Sequence, residues 1–115
     1  MSWTYLASPY SHPDPLVREE RFRLACKAAA MLMQRGEIVF CPIAHSHPIE
    51  LAMRAQGDHA FWQRQDQPFL EFSSRFALLR IDGWETSKGV AYELAWAQEN
   101  LNVALIEFIE PSEVA

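Results

Sequence analysis

Ala77–Leu–Leu–Arg–Ile–Asp–Gly–Trp–Glu–Thr–Ser–Lys–Gly–Val–Ala–Tyr–Glu93 runs from an apolar strand, through a polar turn with two glycines, into a helix. In an open α/β sheet, ligands bind at this kind of junction, beyond the carboxyl end of a strand. Glu93 falls about one turn inside the helix, near an end that favours negative charge. The stretch therefore reads as a strand that delivers a carboxylate to a small-molecule crevice. The helix N-terminus is expected to keep that carboxylate ionised.

Outward from this segment, the chain alternates strands and helices. Trp3–Thr–Tyr–Leu–Ala7 is a first strand, and Ser8–Pro–Tyr–Ser–His–Pro–Asp–Pro15 is a loop whose prolines remove ladder donors. A helix is expected over about Leu16 to Arg35. Phe22, Ala25, Cys26, Ala29, Leu32 and Met33 form its apolar stripe, and Gly36 ends it as a C′ glycine. Glu37 to Cys41 reads as the second strand, ended by Pro42. His45 to Pro48 reads as loop, followed by a short helix from Ile49 to Arg54. Asp58 caps a helix reaching about Ser73, which Pro68 should kink or break. Arg75 to Ile81 is a third strand, apolar enough to be buried on both faces. Ser87 caps a helix to about Asn100, with Val90, Leu94, Ala97 and Leu101 as its core stripe. Asn102 to Ile109 is the fourth strand, and the tail beyond Glu110 is expected to be mobile.

Strands alternating with helices imply a parallel sheet. The expected architecture is a flavodoxin-like or Rossmann-like three-layer α/β sandwich with four to five parallel strands, one domain over residues 1–115. The first strand should be central. Its carboxyl end would then lie beside Ile81–Asp82, placing the first loop and the Glu93 junction in one crevice.

The chain has 115 residues, half of them hydrophobic, and a net charge of −5. That charge offers no footprint for a nucleic-acid polymer and no basic face for a membrane surface. No apolar run approaches the roughly 20 residues a membrane span needs. The amino terminus lacks the basic and apolar regions of a signal peptide, so a cytoplasmic location is expected. Cys26 and Cys41 are not spaced as a metal pair, and Cys26 reads as a small buried hydrophobe. No phosphate-loop lysine motif, Gly-x-Gly-x-x-Gly or serine nucleophile elbow is present.

Four segments resemble the nucleoside 2-deoxyribosyltransferase superfamily. They are Thr4–Tyr–Leu–Ala–Ser–Pro, Gly36–Glu–Ile–Val–Phe, Asp66 upstream of the third strand, and Ser87–Lys–Gly–Val–Ala–Tyr–Glu93–Leu–Ala–Trp–Ala. The last is similar to the Gly-x-x-x-Glu-(Leu/Ile)-x-x-Ala signature of that family. The resemblance implies cleavage or transfer of the N-glycosidic bond of a (deoxy)nucleoside or nucleoside monophosphate, with no cofactor and a homodimer or higher homo-oligomer. Transferases carry a second acid at the position that is Ser87 here. In the nucleotide-hydrolysing branch, a serine there contacts phosphate. That branch also has a Gly-Ser turn with an arginine after the first strand, where this chain has Ser8–Pro–Tyr–Ser.

The resemblance gives Glu93 the role of nucleophile at the anomeric carbon and Asp66 that of acid partner near the leaving base. A raised pKa, from burial or from Glu93, would suit Asp66 to that role. Tyr5, Ser8, Tyr10, Ser11, His45, Asp82, Ser87 and Gly89 are the candidate substrate contacts. Two other readings stand beside this one. The first is a module that senses a nucleotide without turnover. The second is a metal-dependent hydrolase using His45 and His47, whose i, i+2 spacing fits a pair of ligands on a strand. Nothing in the spacing fixes a third ligand, so no metal is expected. Trp62, Trp84 and Trp96 read as core or subunit interface, with Trp84 a candidate to stack on a base.

Overall fold

The computed structural model describes residues 2–53 and 57–115. Four strands, β1 (Thr4–Ala7), β2 (Val39–Phe40), β3 (Arg75–Leu79) and β4 (Ile106–Ile109), form one parallel sheet in the order β2-β1-β3-β4. Four α-helices accompany them: α1 (Pro15–Gln34), α2 (Pro42–Ala52), α3 (His59–Glu71) and α4 (Lys88–Asn100). This is the expected flavodoxin-like, Rossmann-like three-layer arrangement, with β1 internal. Pairing of Tyr5 with Phe76 and Ala7 with Leu78 sets the carboxyl ends of β1 and β3 side by side.

Strand alternation divides the core into two layers. Leu6, Ala77 and Leu79 pack with Ala25, Ala28, Ala29 and Leu32 of α1 on one face. Tyr5, Ala7, Phe76 and Leu78 pack with Leu70 of α3 and with Val90 and Ala97 of α4 on the other. Tyr5 is therefore on the face that α4 covers, which fixes what its hydroxyl can reach.

Several boundaries differ from the sequence reading, each for a physical reason. β2 keeps only two ladder residues because Pro42 starts α2 at once; proline suits the first turn of a helix, where its missing N–H leaves no bond unmade. The segment His45 to Pro48, expected as loop, is helical, and Pro48 lies inside α2. Arg54, expected at the end of a short helix, lies outside the described residues. Pro68 does not break α3, which continues to Glu71. The fourth strand starts later than expected, at Ile106, after a 3-10 turn over Val103–Leu105. The stripe of α1 is centred on alanines: Cys26 and Phe22 are only partly buried and Met33 is 54% exposed. The tail is ordered rather than mobile. Pro111–Glu113 forms a 3-10 turn, the Glu110 amide donates to Glu113, and Val114 is buried in the α1-side core.

No helix among the described residues is long and apolar enough to cross a membrane.

Candidate active site

Ser87 caps α4, its hydroxyl accepting from the Val90 amide at 3.2 Å, and the helix then carries Glu93 on its second turn. The Tyr5 hydroxyl donates to Glu93 Oε2. Tyr5 has no exposed surface and stacks on Phe76 with ring centres 6.1 Å apart. It was a candidate substrate contact; its burial makes it instead the group that orients Glu93. Asp66 comes from α3, which Asp58 caps by accepting from the Phe61 amide at 2.8 Å. Tyr5, Asp66, Gln67, Tyr92 and Glu93 line one small void of about 10 Å³, so the two carboxyl groups face the same space. The Tyr92 hydroxyl donates to Gln67 Oε1 at 2.7 Å and braces α3 against α4.

Burial governs the charge of both acids. Loss of solvent, opposed by the Tyr5 hydrogen bond and reinforced by the Asp66 charge, raises the Glu93 carboxyl to about 8. Desolvation raises Asp66 to about 7. The expectation that the helix N-terminus keeps Glu93 ionised is thus corrected. The dipole acts within the first turn, and at the second turn desolvation outweighs it. Both carboxyls therefore keep their protons to a higher pH than the solvated acids of the surface do.

Asp66 also borders a cavity of about 660 Å³ between the first loop, α2 and α3. Tyr10, Ser11, Ile43, Ser46, Glu50, His59 and Trp62 contribute to its walls. Among the described residues, Ser46 Oγ and Trp62 Nε1 are buried without a hydrogen-bond partner. Unpaired buried donors of this kind cost free energy unless something else binds them. Trp62 was read as core or interface, so the cavity reassigns it. Ser8 is also buried, with its hydroxyl unpartnered among the described residues.

A second cavity of about 310 Å³ adjoins the N-terminus of α4, lined by Ser11, His12, Arg21, His59, Ser87 and Lys88 among others. Ser11, His12 and His59 are common to both cavities. Gly89 lies at this end of α4, and a Cβ there would meet only the Ser87 hydroxyl at 3.9 Å and His59 at 4.0 Å. Arg21 ties the junction together. Its guanidinium donates to the carbonyls of Ser11 at 2.9 Å and Asp82 at 3.2 Å. Gly83, at φ +95°, leaves room for it, since a Cβ there would come within 2.3 Å of Arg21 Nη2.

Three expected contacts are placed differently. Asp82 is exposed and meets Arg21 through its carbonyl. His45 is exposed, its ring 5.8 Å from that of Phe40, and it lines neither cavity. The cause is α2: on a helix, residues i and i+2 point about 200° apart. The same geometry separates His45 from His47, so the two do not form a ligand pair. Among the described residues, no three His, Cys, Asp or Glu side chains converge to hold a metal ion. Trp84 packs into the α4-side core beneath Arg80, away from both cavities.

The sequence reading gave His47 no role except as a metal ligand. It is buried, with Nδ1 2.6 Å from the Tyr10 hydroxyl and Nε2 2.6 Å from Glu19 Oε2. Arg21, Ser46 and Glu50 were not singled out either. The pattern on α1 places Arg21 one residue from Phe22, and only the loop geometry shows which carbonyls it reaches.

No curated protein matches this sequence. Residues 2–107 match the family described as a domain of unknown function, DUF1937, a description that carries no activity, and the chain belongs to that family.

Proposed function

We propose that this protein cleaves or transfers the N-glycosidic bond of a nucleoside or nucleoside monophosphate, with Glu93 as nucleophile. One observation carries the reading: two carboxyl groups with raised pKa, Glu93 and Asp66, share one void, and Asp66 opens onto a cavity of about 660 Å³. The resemblance of the Ser87–Ala97 segment to the 2-deoxyribosyltransferase signature supports the same chemistry.

In the reaction, a Glu93 oxygen bonds to the anomeric carbon as the bond from that carbon to the base nitrogen breaks. The departing base takes a proton from Asp66. Water, or a second base, then attacks the anomeric carbon and releases Glu93. The division of labour needs Glu93 ionised and Asp66 protonated. Glu93 holds its proton more tightly than Asp66 even with the Tyr5 donor, so the reacting arrangement requires the proton to shift from Glu93 to Asp66.

The second cavity favours a monophosphate over a free nucleoside. Arg21 and Lys88 bring positive charge there, beside the free amides at the start of α4. A cytoplasmic location, in keeping with two free cysteines, and a homo-oligomer that closes the open cavities complete the proposal.

The test is incubation with a panel of 2′-deoxynucleosides, ribonucleosides and their 5′-monophosphates, with released base followed by chromatography. Wild type should release base from at least one, and Glu93→Gln should lose turnover while retaining affinity. A folded wild type that releases no base from any of them, yet binds a nucleotide, would replace this proposal with a non-catalytic sensor.

A further inference from the structure

His47 is the one histidine in the core, and its surroundings are specific. Its ring stacks on Phe22 with centres 4.3 Å apart. Nδ1 meets the Tyr10 hydroxyl and Nε2 meets Glu19, each at 2.6 Å. Tyr10 lines the large cavity, while the Glu19 side chain is 61% exposed. The three side chains thus form an unbroken chain of hydrogen bonds from solvent to the cavity wall. Tyr10 and His47 belong to the first loop and α2, whereas Asp66 belongs to α3. The chain is therefore separate from the Glu93–Asp66 pair.

Resting on the glycosidic reading above, we infer that Tyr10, His47 and Glu19 are a proton relay that serves the departing base as a second acid. When His47 carries both protons, its two nitrogens donate to Tyr10 and Glu19. The Tyr10 oxygen is then an acceptor toward His47, and its own O–H is free to donate into the cavity. As the glycosidic bond breaks and its electron pair moves to the base, the Tyr10 proton passes to the base. The Nδ1 proton of His47 moves to the Tyr10 oxygen in the same step. His47 is left neutral, with Nε2–H still toward Glu19, whose carboxylate had stabilised the cation; once the base has left, Nδ1 regains its proton by way of the Tyr10 hydroxyl from water entering the cavity.

A phenol alone is a poor acid here. Burial and the nearby Glu50 and Glu19 charges raise the pKa of Tyr10, and Arg18 only partly opposes them. A cationic partner at hydrogen-bond distance removes that obstacle, because no phenolate accumulates. Among the described residues, Arg18 of α1 and Glu50 of α2 are the charged groups acting on this chain besides Glu19 itself. His45, on the same helix as His47, is exposed and faces Phe40.

The experiment compares two leaving groups. One substrate is the best nucleoside or monophosphate from the panel. The other is p-nitrophenyl 2-deoxyriboside, with or without a 5-phosphate, whose nitrophenolate departs without a proton. Tyr10→Phe and His47→Gln should slow base release by about tenfold to a hundredfold. They should slow nitrophenolate release by at least about fivefold less than they slow base release. Glu19→Gln lies at the surface and tests the relay without disturbing the core. It should displace the pH profile for base release and not that for nitrophenolate release. Losses that are equal for the two substrates, or absent, or a Glu19→Gln profile that does not move, would overturn the relay alone. A wild type that releases base from no member of the panel would overturn the glycosidic reading and the relay with it.

Discussion

Replacing Glu93 by Gln should stabilise this protein in neutral and alkaline solution but not in acid. Burial lifts the carboxyl from 4.5 to about 8 in the folded state. Each tenfold change in proton affinity is worth about 1.4 kcal/mol, so holding this carboxylate ionised costs the fold on the order of 4–5 kcal/mol. Between those two values the folded chain binds a proton that the unfolded chain has released. Wild-type stability from this group is therefore fully present below about pH 4.5 and is lost as pH rises through 8. Glutamine has nearly the same shape, stays neutral and can still accept from Tyr5. Burying its amide costs on the order of 1–2 kcal/mol, leaving a net gain of about 3 kcal/mol at pH 9. For a chain of this size, that corresponds to a rise in Tm of about 10 °C. At pH 5 the wild-type side chain is itself neutral, and the two proteins should differ by less than about 1 kcal/mol. Thermal or urea unfolding of both proteins at pH 5 and pH 9 measures the difference directly. A gap of the same size at both pH values would refute the buried carboxylate, and so would a Glu93→Gln protein that is less stable at pH 9.

Two further predictions concern the groups around the site. Tyr5→Phe removes the donor to Glu93; a hydrogen bond to a charged group is worth about 1.5–3 kcal/mol, equivalent to one or two pH units. On the proposed reaction, the acid limb of kcat/KM should move up by that amount, lowering activity at pH 7 by at least about tenfold, and an unmoved limb would show that the Tyr5 hydroxyl does not tune the proposed nucleophile. Gly83→Ala places a Cβ at φ +95° and within 2.3 Å of Arg21 Nη2, so urea unfolding should show a loss of about 1–3 kcal/mol. Gly89→Ala, in a helix and with no contact shorter than 3.9 Å, should instead be neutral or stabilising by up to about 1 kcal/mol.

The elements that the sequence makes legible are those whose local signals and packing agree. β1 and β3 are apolar runs, Asp58 and Ser87 cap α3 and α4, and Gly36 ends α1 with φ +94°. At α2 the local and global signals conflict. Its two prolines and the run His45–Ser–His47 have the character of a loop, and tertiary contacts overrule them. Ile43 and Ala44 pack on the α1-side core, and His47 stacks on Phe22. The tail is a similar case. Val114 is anchored by a core that forms only once α1, β3 and β4 are assembled, and Arg80 pairs with Glu110 at the start of the tail. No period in the tail itself announces this.

The site divides along the same line. That Glu93 belongs to a strand-turn-helix junction is visible in consecutive residues. That Tyr5 touches it is not, because the contact crosses 88 positions and depends on Tyr5 facing the α4 side of β1. The character of the carboxyl pair emerges only by comparison with the other acids. Glu107, paired with Arg35, has its pKa lowered, as expected of a carboxylate that stabilises a surface. Glu37 also meets Arg35, and Glu110 meets Arg80. Glu93 and Asp66 make no salt bridge among the described residues, and both are raised. A pair kept only for stability would be expected to have acquired a cation or to have been replaced by apolar side chains, since desolvated carboxylates without a partner weaken a fold. Two uncompensated carboxyls sharing one void, with Asp66 at the edge of a cavity, at a stability cost that the Glu93→Gln experiment measures, are what the proposed reaction requires.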